Sequence, residues 1–309
     1  MLKFLKKMFG GSKPPADSPI PEPVPQPTTP KASAAAQAEF HYGLVAIDID
    51  GTLLRSDGSI TVNLTRAVQK AQSLGVRVIL SSARTPDGVL AVHQALNLNT
   101  LQISFNGALI CNGPDLEVVY HKAVQPDTAL EIAQIARKFH PKIQIRADIL
   151  DKWFTDTPTK TKPGSKGPTG VLPLDKMLAH PVSRLTFLTG GEPMNSLRNR
   201  IRQHFSEHVA IQPTDPRILQ LVNKDAHKGK ALEFVSKFYN VERDRVMAIG
   251  DAPNDIAMIN WAGCGVAMGN AWKEVHEVAD LTVASNNNSG VTEAIRDYVL
   301  SDDPFKQTG

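Results

Sequence analysis

Two aspartates, Asp48 and Asp50, stand one residue apart directly after a short apolar segment. That segment, Leu44–Ile47, has the length and the β-branched content of a buried strand. Alternate side chains of a strand share a face, so the two carboxylates are predicted to lie together. Because an ionised carboxylate is costly to bury without a partner, the pair predicts a divalent-cation site at this strand end. An Asp-Gly turn at Asp50 and Gly51 is the alternative interpretation.

A second group of acidic and amide side chains follows a later apolar segment. Residues 245–249 predict a strand, and Gly250 is followed by Asp251, Asn254 and Asp255. The arrangement repeats that at Asp48, so a second polar group is predicted at the end of another strand. A turn that caps the following helix would explain Asn254 or Asp255, but not all three side chains.

Two more predicted strands end at groups that suit a phosphate oxygen. Ser82 and Arg84 follow one strand, and Asn106 and Gly107 follow the next. The order strand, helix, strand predicts parallel strands whose carboxyl ends meet at one crevice, where a hydroxyl and free amides can hold phosphate. Taken alone, Ser82 is equally explained as a helix cap, and Asn-Gly as a tight turn.

Lys228 stands at the start of a predicted amphipathic helix, beside Gly229. A cation at a helix N-terminus opposes the helix dipole unless an anion lies between them. Lys228 is therefore predicted to face an anion. Lys224 and Lys230 lie in the same short segment and are the alternatives.

These segments resemble, in order, the four motifs of the haloacid dehalogenase-like superfamily, most of whose members are phosphatases. The matching segments are Asp48-Ile49-Asp50-Gly51-Thr52, Ser82-Ala83-Arg84, Lys228-Gly229-Lys230-Ala231-Leu232 and Gly250-Asp251-Ala252-Pro253-Asn254-Asp255. The Asn-Gly pair at 106 and the complete fourth motif indicate the Cof-type subgroup, although Ala83 stands where that subgroup usually has glycine. The resemblance covers residues 42–300.

The resemblance implies a role for each motif residue. Asp48 would be the nucleophile that attacks phosphorus, and Asp50 the general acid/base. Ser82 and Lys228 would stabilise the phosphoryl oxygens. The residues that would hold Mg²⁺ are Asp48, Asp50 through its backbone carbonyl, Asp251 and Asp255. Of these, Asp255 would hold the waters of the metal or the loop around it. The implied substrate-binding residues are Ser82, Arg84, Asn106, Gly107, Lys228 and Asn254.

The elements that must position these residues predict an α/β fold. A doubly wound parallel-sheet core is expected from residues 41–111 and 213–309, with residues 218–222 among its strands. Residues 112–212 read as strands with helices on one side, an α+β domain that resembles the Cof-type cap. Trp153, Phe154 and Asp156 are candidates to face the site from the cap, but the sequence does not place them. The lysine-containing loop at 159–167 is predicted to be solvated, and contact with a second anionic group on the substrate is the alternative.

Composition narrows the functional class. Of 309 residues, 41% are hydrophobic and 21% charged, as in ordinary globular proteins, and the net charge of +3 does not favour nucleic-acid binding. The two cysteines, Cys111 and Cys264, have no metal-binding spacing and indicate buried thiols of a reducing compartment, the cytoplasm. No apolar segment approaches the ~20 residues of a membrane span.

Residues 1–40 form a separate basic and proline-rich arm, for which a disordered tether is predicted. Its first residues alternate apolar and lysine side chains at helical spacing, so a weak membrane-surface contact is the alternative. The chain as a whole is predicted to be a Mg²⁺-dependent phosphatase of small phosphorylated metabolites. A phosphomutase and a non-catalytic phospholigand-binding protein are the rival hypotheses, and the oligomeric state stays open.

Overall fold

The computed structural model describes residues 42–159, 166–191, 193–212 and 215–301, so the predicted arm lies outside the described residues. The strands are β1 Leu44–Ile47, β2 Arg77–Ser81, β3 Leu101–Ser104, β4 Leu109–Asn112, β5 Val118–His121, β6 Gln144–Ile149, β7 Lys152–Thr155, β8 Gly170–Val171, β9 Arg184–Leu188, β10 Val209–Gln212, β11 Ile218–Asn223, β12 Val246–Gly250, β13 Cys264–Ala267 and β14 Leu281–Thr282. The α-helices are α1 Val62–Ser73, α2 Pro86–Ala95, α3 Pro126–Phe139, α4 Leu174–Met177, α5 Asn195–Phe205, α6 Lys228–Phe238, α7 Ile256–Trp261, α8 Lys273–His276 and α9 Gly290–Ala294.

The larger sheet has eight strands in the order β14-β13-β12-β1-β2-β3-β4-β5, and its strands from β14 to β3 are parallel. Strand β1 lies at its centre, between β12 and β2. Val45 and Ile47 pack on one side of the sheet, with α1 and α2, whereas Leu44 and Ala46 pack on the other, with α6 and α7. Helices therefore cover both faces, which confirms the predicted doubly wound core.

Local capping fixes where the helices beside the site begin. The Thr85 side chain accepts a hydrogen bond from the Gly88 amide, and Pro86 takes the first helical position of α2. The cap of α2 is therefore Thr85, and Ser82 is left for another role. The α6 helix begins at Lys228, where the His227 side chain accepts from the Lys230 amide.

The smaller sheet has six strands in the order β10-β11-β9-β6-β7-β8 and is mixed. Helices α3 and α5 pack on one of its faces, around a core that includes Ile145, Phe187 and Leu219. This unit is the α+β cap. Its opposite face contacts the unit built on the larger sheet, because Arg184 of β9 donates to the Ala83 carbonyl and Asn106 donates to Gln212 of β10.

The two sheets divide the chain differently from the predicted cap limits of 112–212. The predicted core strand at 218–222 is β11, which pairs antiparallel with β9 and β10 of the cap sheet. Conversely, β5 pairs with β4 in the core sheet. The sequence pattern identifies a strand but not its partner, which is set by contacts distant along the chain. The sequence pattern does not predict strands β7 and β8 or the short helix α4 either.

Among the described residues, every helix is too short or too polar to cross a membrane.

Candidate active site

Three polar segment ends meet at one edge of the core sheet. Asp48 follows β1, Ser82 follows β2 and Asp251 follows β12. Both neighbours run parallel to β1, with Ile47 opposite Leu80 and Ile249. The carboxyl ends of the three strands therefore converge, as the sequence predicts for a binding crevice.

Lys228 joins the first and last of these segments. Its side chain is fully buried, and Nζ donates to Asp48 Oδ1 at 2.6 Å and to Asp255 Oδ1 at 2.6 Å. The alternatives lie elsewhere, since Lys224 pairs with Glu207 and Lys230 with Asp225 in half-exposed ion pairs. Among the three lysines, Lys228 is the one that faces the carboxylates.

The carboxylates of Asp48, Asp251 and Asp255 each offer an oxygen within 4.8 Å of the others. Burial raises the pKa of Asp48 to about 7, with Lys228 opposing the rise and Asp255 adding to it. Burial also raises the pKa of Asp251 to about 6, against the hydrogen bond from Thr52. Burial alone would lower the pKa of Lys228, but Asp255 and Asp48 outweigh it and raise that pKa.

With all three carboxylates ionised, the cluster holds two more negative charges than the single Lys228 ammonium neutralises. A buried charge of that size needs a counter-ion. Oxygen donors and a double negative excess suit a hard divalent cation. The residues therefore fit a divalent metal site.

The metal-binding oxygens are not equally available. Asp255 Oδ2 accepts from the amides of Asp251 and Ala252 at 3.0 Å each, and its Oδ1 accepts from Lys228. Asp255 thus holds the loop in shape. Asp251 Oδ1 accepts from Thr52 at 2.8 Å, which leaves its Oδ2 and Asp48 Oδ2 without a hydrogen-bond partner among the described residues.

Gly51 allows this close approach. Its φ is +85°, and a Cβ built there would lie 2.4 Å from Asp251 Oδ2. The glycine is therefore required twice, for the left-handed backbone and for the space that the carboxylate occupies.

The side chain of Asp50 points away from the cluster. It is 60% exposed, and Arg84 binds it with Nε at 2.8 Å and Nη2 at 2.6 Å. A bidentate pair of this kind fixes the carboxylate in position. A contact of Asp50 with the metal would therefore fall to its backbone carbonyl, the group that the family resemblance assigns.

Ser82 and Asn106 occupy adjacent positions at the strand ends. Ser82 is buried, and its Oγ accepts from the Arg84 amide at 3.2 Å, so the hydroxyl proton is available to another acceptor. Asn106 has a φ of 56° and accepts at Oδ1 from Asn254, while its Nδ2 donates to Gln212 at 2.5 Å. Asn106 thereby joins the fourth motif to the cap.

Gly107 explains why Asn-Gly follows β3. Its φ is +99°, and an added Cβ would meet the His227 carbonyl at 2.5 Å, directly before Lys228. The pair does connect antiparallel strands, as the turn interpretation has it, but it also lets the β3–β4 connection pack against the start of α6.

A cavity of about 880 Å³ lies between the core and the cap, and the carboxylates of the metal site do not line it. Thr85, Gly88 and Phe105 line it from the core, and Arg146 and Trp153 are among its cap residues. Arg146, Asp148 and Arg184 were missed in the sequence, because isolated charged residues on strands carry no motif. The lysine-containing loop contributes Lys166, which pairs with Asp87 at 2.7 Å.

Comparison with known proteins agrees with this geometry. A family model described as haloacid dehalogenase-like hydrolase matches residues 45–295. The chain is 30% identical to the 5-amino-6-(5-phospho-D-ribitylamino)uracil phosphatase YcsE of Bacillus subtilis, over 83% of this chain and 96% of that protein. It is 25% identical to the phosphatase YwpJ of the same organism, over 82% of this chain and 98% of that protein.

The fold is also that of a solved structure, TM0651 from Thermotoga maritima, with a TM-score of 0.74 and 25% identity over 84% of this chain and all of that one. The family match spans both halves of the core and the cap between them. The chain therefore belongs to the haloacid dehalogenase-like hydrolases, as a phosphatase of the Cof-type subgroup.

Proposed function

We propose that this phosphatase hydrolyses small-molecule phosphate monoesters with Mg²⁺, through a phosphoaspartate formed on Asp48. The observation that carries the proposal is the contact of Asp48 with buried Lys228, next to Asp251 and Asp255. One oxygen of Asp48 is held by the ammonium, while the other faces a cluster with an unbalanced negative charge. Such a carboxylate suits attack on a phosphoryl group that arrives with a cation.

Asp48, Asp251 and the backbone carbonyl of Asp50 would hold the metal, with Asp255 supporting the loop. When bound, Mg²⁺ supplies positive charge that offsets the charge of the phosphoryl oxygens and of the cluster. Lys228 adds a second, fixed positive charge at the nucleophile, and the Ser82 hydroxyl can donate to a phosphoryl oxygen. Electrostatic stabilisation of this kind is the main catalytic task in phosphoryl transfer.

The side chains account for both halves of the reaction. One carboxylate oxygen of Asp48 forms a bond to phosphorus as the bond to the leaving alcohol breaks, and Asp50, in its protonated form, gives that alcohol its proton. Asp50 then takes a proton from water, whose oxygen attacks the phosphoaspartate. Inorganic phosphate leaves and the Asp48 carboxylate is restored. Arg84 binds both carboxylate oxygens of Asp50 and would position this group for the two proton transfers.

We infer that the leaving group extends into the cavity between core and cap, which has a volume of about 880 Å³. The carboxylates of the site do not line it, but Thr85 does, directly after the Ser82–Arg84 segment. That volume lies within the range for small-molecule sites. The relative YcsE bears the name of a phosphatase for a phosphorylated ribitylaminouracil, a molecule of this class. We infer a sugar phosphate or cofactor phosphate as substrate.

The first test is release of inorganic phosphate from an aryl phosphate. The full chain should turn over with Mg²⁺, lose turnover in EDTA and regain it when Mg²⁺ is added back. Full activity in chelator would refute the metal requirement. Transfer of phosphate to a sugar instead of water would identify a mutase.

A second test separates the two aspartates. Asp48→Asn should abolish turnover, whereas Asp50→Asn should lose about 10²–10⁴ in rate, because it removes only proton transfer. The loss should be greater for a sugar phosphate than for an aryl phosphate, whose leaving group needs no proton. Mass spectrometry after acid quench of Asp50→Asn should find phosphate on Asp48. An adduct on Asp251, or equal losses without an adduct, would overturn the assignment.

A further inference from the structure

The face of the cap sheet that looks into the cavity is unusually polar. Strand β6 presents Gln144, Arg146 and Asp148 on that face, and the intervening Ile145 and Ala147 pack into the cap core. Strand β9 pairs with β6 so that Thr186 lies opposite Arg146 and Arg184 opposite Asp148. This face adjoins the loop that contains Ser82, because Arg184 donates to the Ala83 carbonyl, and the proposed function brings the substrate's leaving group to this side of the site.

Asp148 is shared by two arginines. Arg146 donates with Nε and Nη2 to Asp148 Oδ1, at 3.2 and 2.5 Å, and Arg184 donates with Nε to Oδ2 at 3.0 Å. The carboxylate is almost completely buried, with 2% of its side chain exposed. Two guanidinium groups and one carboxylate leave one positive charge in excess.

The remaining charged residues of the cavity wall balance in pairs. Lys152 pairs with Asp151 at 2.9 Å, and Lys166 pairs with Asp87 at 2.7 Å. Neither pair adds a net charge. The lining residues taken together carry no net charge. A positive excess arises only because Arg184, which lies behind the lining, shares Asp148 with Arg146.

Of these two arginines, Arg184 is bound by other groups of the protein. Its Nη1 donates to the Ala83 carbonyl at 3.1 Å, and its guanidinium lies 4.7 Å from the centre of the Phe105 ring. Only 12% of its side chain is exposed. Arg184 thus holds the cap against the loop that contains Ser82 and Arg84.

Arg146 is the arginine that remains available to a ligand. Its guanidinium lies 4.3 Å from the centre of the Trp153 ring, which fixes its plane, and 27% of its side chain is exposed to the cavity. Within the described part of the chain, its Nη1 has no hydrogen-bond partner. Opposite it, the Thr186 hydroxyl is also unpartnered, although Thr186 is only 4% exposed. A guanidinium N–H that faces the cavity without a partner is free to donate to an oxygen acceptor of a ligand.

We propose that the leaving alcohol of the substrate carries a second anionic group, a carboxylate or a phosphate, which binds Arg146. The contacts give the direction, since Asp148 and Arg184 separate Arg146 from the phosphoryl-binding loop at Ala83. The second anion therefore lies at the end of the substrate remote from the transferred phosphate. The inference rests on the proposed function for the identity of that phosphate.

The experiment measures binding separately from turnover. The full-length Asp48→Asn chain is titrated calorimetrically, with Mg²⁺ present, against two matched pairs of ligands. Gluconate 6-phosphate is compared with glucitol 6-phosphate, and fructose 1,6-bisphosphate with fructose 6-phosphate. The first pair tests a carboxylate and the second a phosphate. In at least one pair, the doubly anionic member should bind about tenfold or more tightly, as expected of a charge-assisted hydrogen bond.

Substitutions then assign that preference to the residue. Arg146→Met should remove the preference, and Arg146→Lys, which keeps the charge but loses the planar fork, should retain part of it. The matched control is Lys176→Met, which removes another cap cation, 69% exposed and outside the cavity wall, and should keep the preference. Circular dichroism and thermal melting check that each variant folds. If Arg146→Met does not fold, a reduced preference in Arg146→Lys is the test.

Equal binding within both pairs, or a preference that stays undiminished in Arg146→Met or in Arg146→Lys, would overturn the inference. Aryl phosphate turnover by the wild-type chain tests the proposed function independently. A protein that shows the Arg146-dependent preference but hydrolyses nothing would support this subsite and refute the hydrolase proposal.

Discussion

Lys228 lies fully buried between two carboxylates, so its charge matters to folding as well as to chemistry. Removing one partner of a buried ion pair leaves the other charge uncompensated, at about 3–5 kcal/mol. Without Lys228, the carboxylates of Asp48 and Asp255 would both be buried without their positive partner. The residue that orients the proposed nucleophile is therefore also one of the residues that hold the central strand ends together.

We predict that Lys228→Met abolishes turnover and lowers the free energy of unfolding by about 3–5 kcal/mol, measured by urea denaturation without metal. The matched control is Lys230→Met, two residues on, which removes a 50% exposed ion pair with Asp225. That change should cost less than about 1 kcal/mol and leave turnover intact. Equal effects of the two substitutions would contradict the central position given to Lys228.

Gly51 offers a second test, because another glycine of the chain shares its backbone conformation but not its surroundings. Gly58 has a φ of +79°, and nothing lies within 4 Å of a Cβ built there. Gly58→Ala should cost about 1–2 kcal/mol of stability, from the left-handed backbone alone, and should keep its activity. Gly51→Ala adds a clash with Asp251, so turnover should also fall and the Mg²⁺ concentration for half-maximal rate should rise. Unchanged metal dependence in Gly51→Ala would contradict the close approach described here.

At the scale of the element, two neighbouring crossings carry the chain between core and cap. The outgoing crossing follows β5, and the returning one follows β11, where Asn223 Nδ2 donates to the Ala123 carbonyl at 2.8 Å. His121 closes β5 and places Nε2 2.9 Å from Ser183 Oγ in the cap. This hydrogen bond therefore lies at the connection between the core and the cap.

Burial lowers the pKa of His121 to about 4, from an ordinary value of 6.5. Between these values the unfolded chain binds more protons than the folded one, so stability present above pH 6.5 is lost as the pH falls towards 4. Between pH 6.5 and 4.5, the free energy of unfolding should therefore fall by about 1–3 kcal/mol less in His121→Gln than in the wild type. Parallel curves for wild type and His121→Gln would contradict this.

The same scale shows what the sequence could and could not predict. Strands such as β1 and β12 are short apolar segments that end in acidic motifs, so both their type and their place at the site follow from local pattern. Strand β11 is equally clear as a strand, but its partners β9 and β10 could not be inferred. The Arg146–Asp148–Arg184 group is formed by pairing β6 with β9, about forty residues apart, and no local pattern announces it.

At the scale of the whole molecule, every residue assigned to the site lies between residues 48 and 255, within the described core and cap. The proline-rich composition of residues 1–40 opposes a packed core. We predict that removing residues 1–40 leaves kcat/KM and Tm nearly unchanged. A loss above about tenfold, or 1.4 kcal/mol, would show that the arm belongs to the catalytic unit. Circular dichroism of the shortened chain is the control for folding.

The central position of β1 also bears on how the protein is made. Its neighbour β12 joins it through pairs such as Leu44 with Val246, so one edge of β1 stays unpaired until the ribosome has added some two hundred residues. The strands of the cap sheet all lie between residues 144 and 223, and they are complete before β12 is synthesised. Contacts distant in sequence form late, and domains generally fold as units during synthesis. The cap can therefore reach its native form on the ribosome first. Until the final strands are synthesised, the incomplete larger sheet keeps one apolar edge exposed.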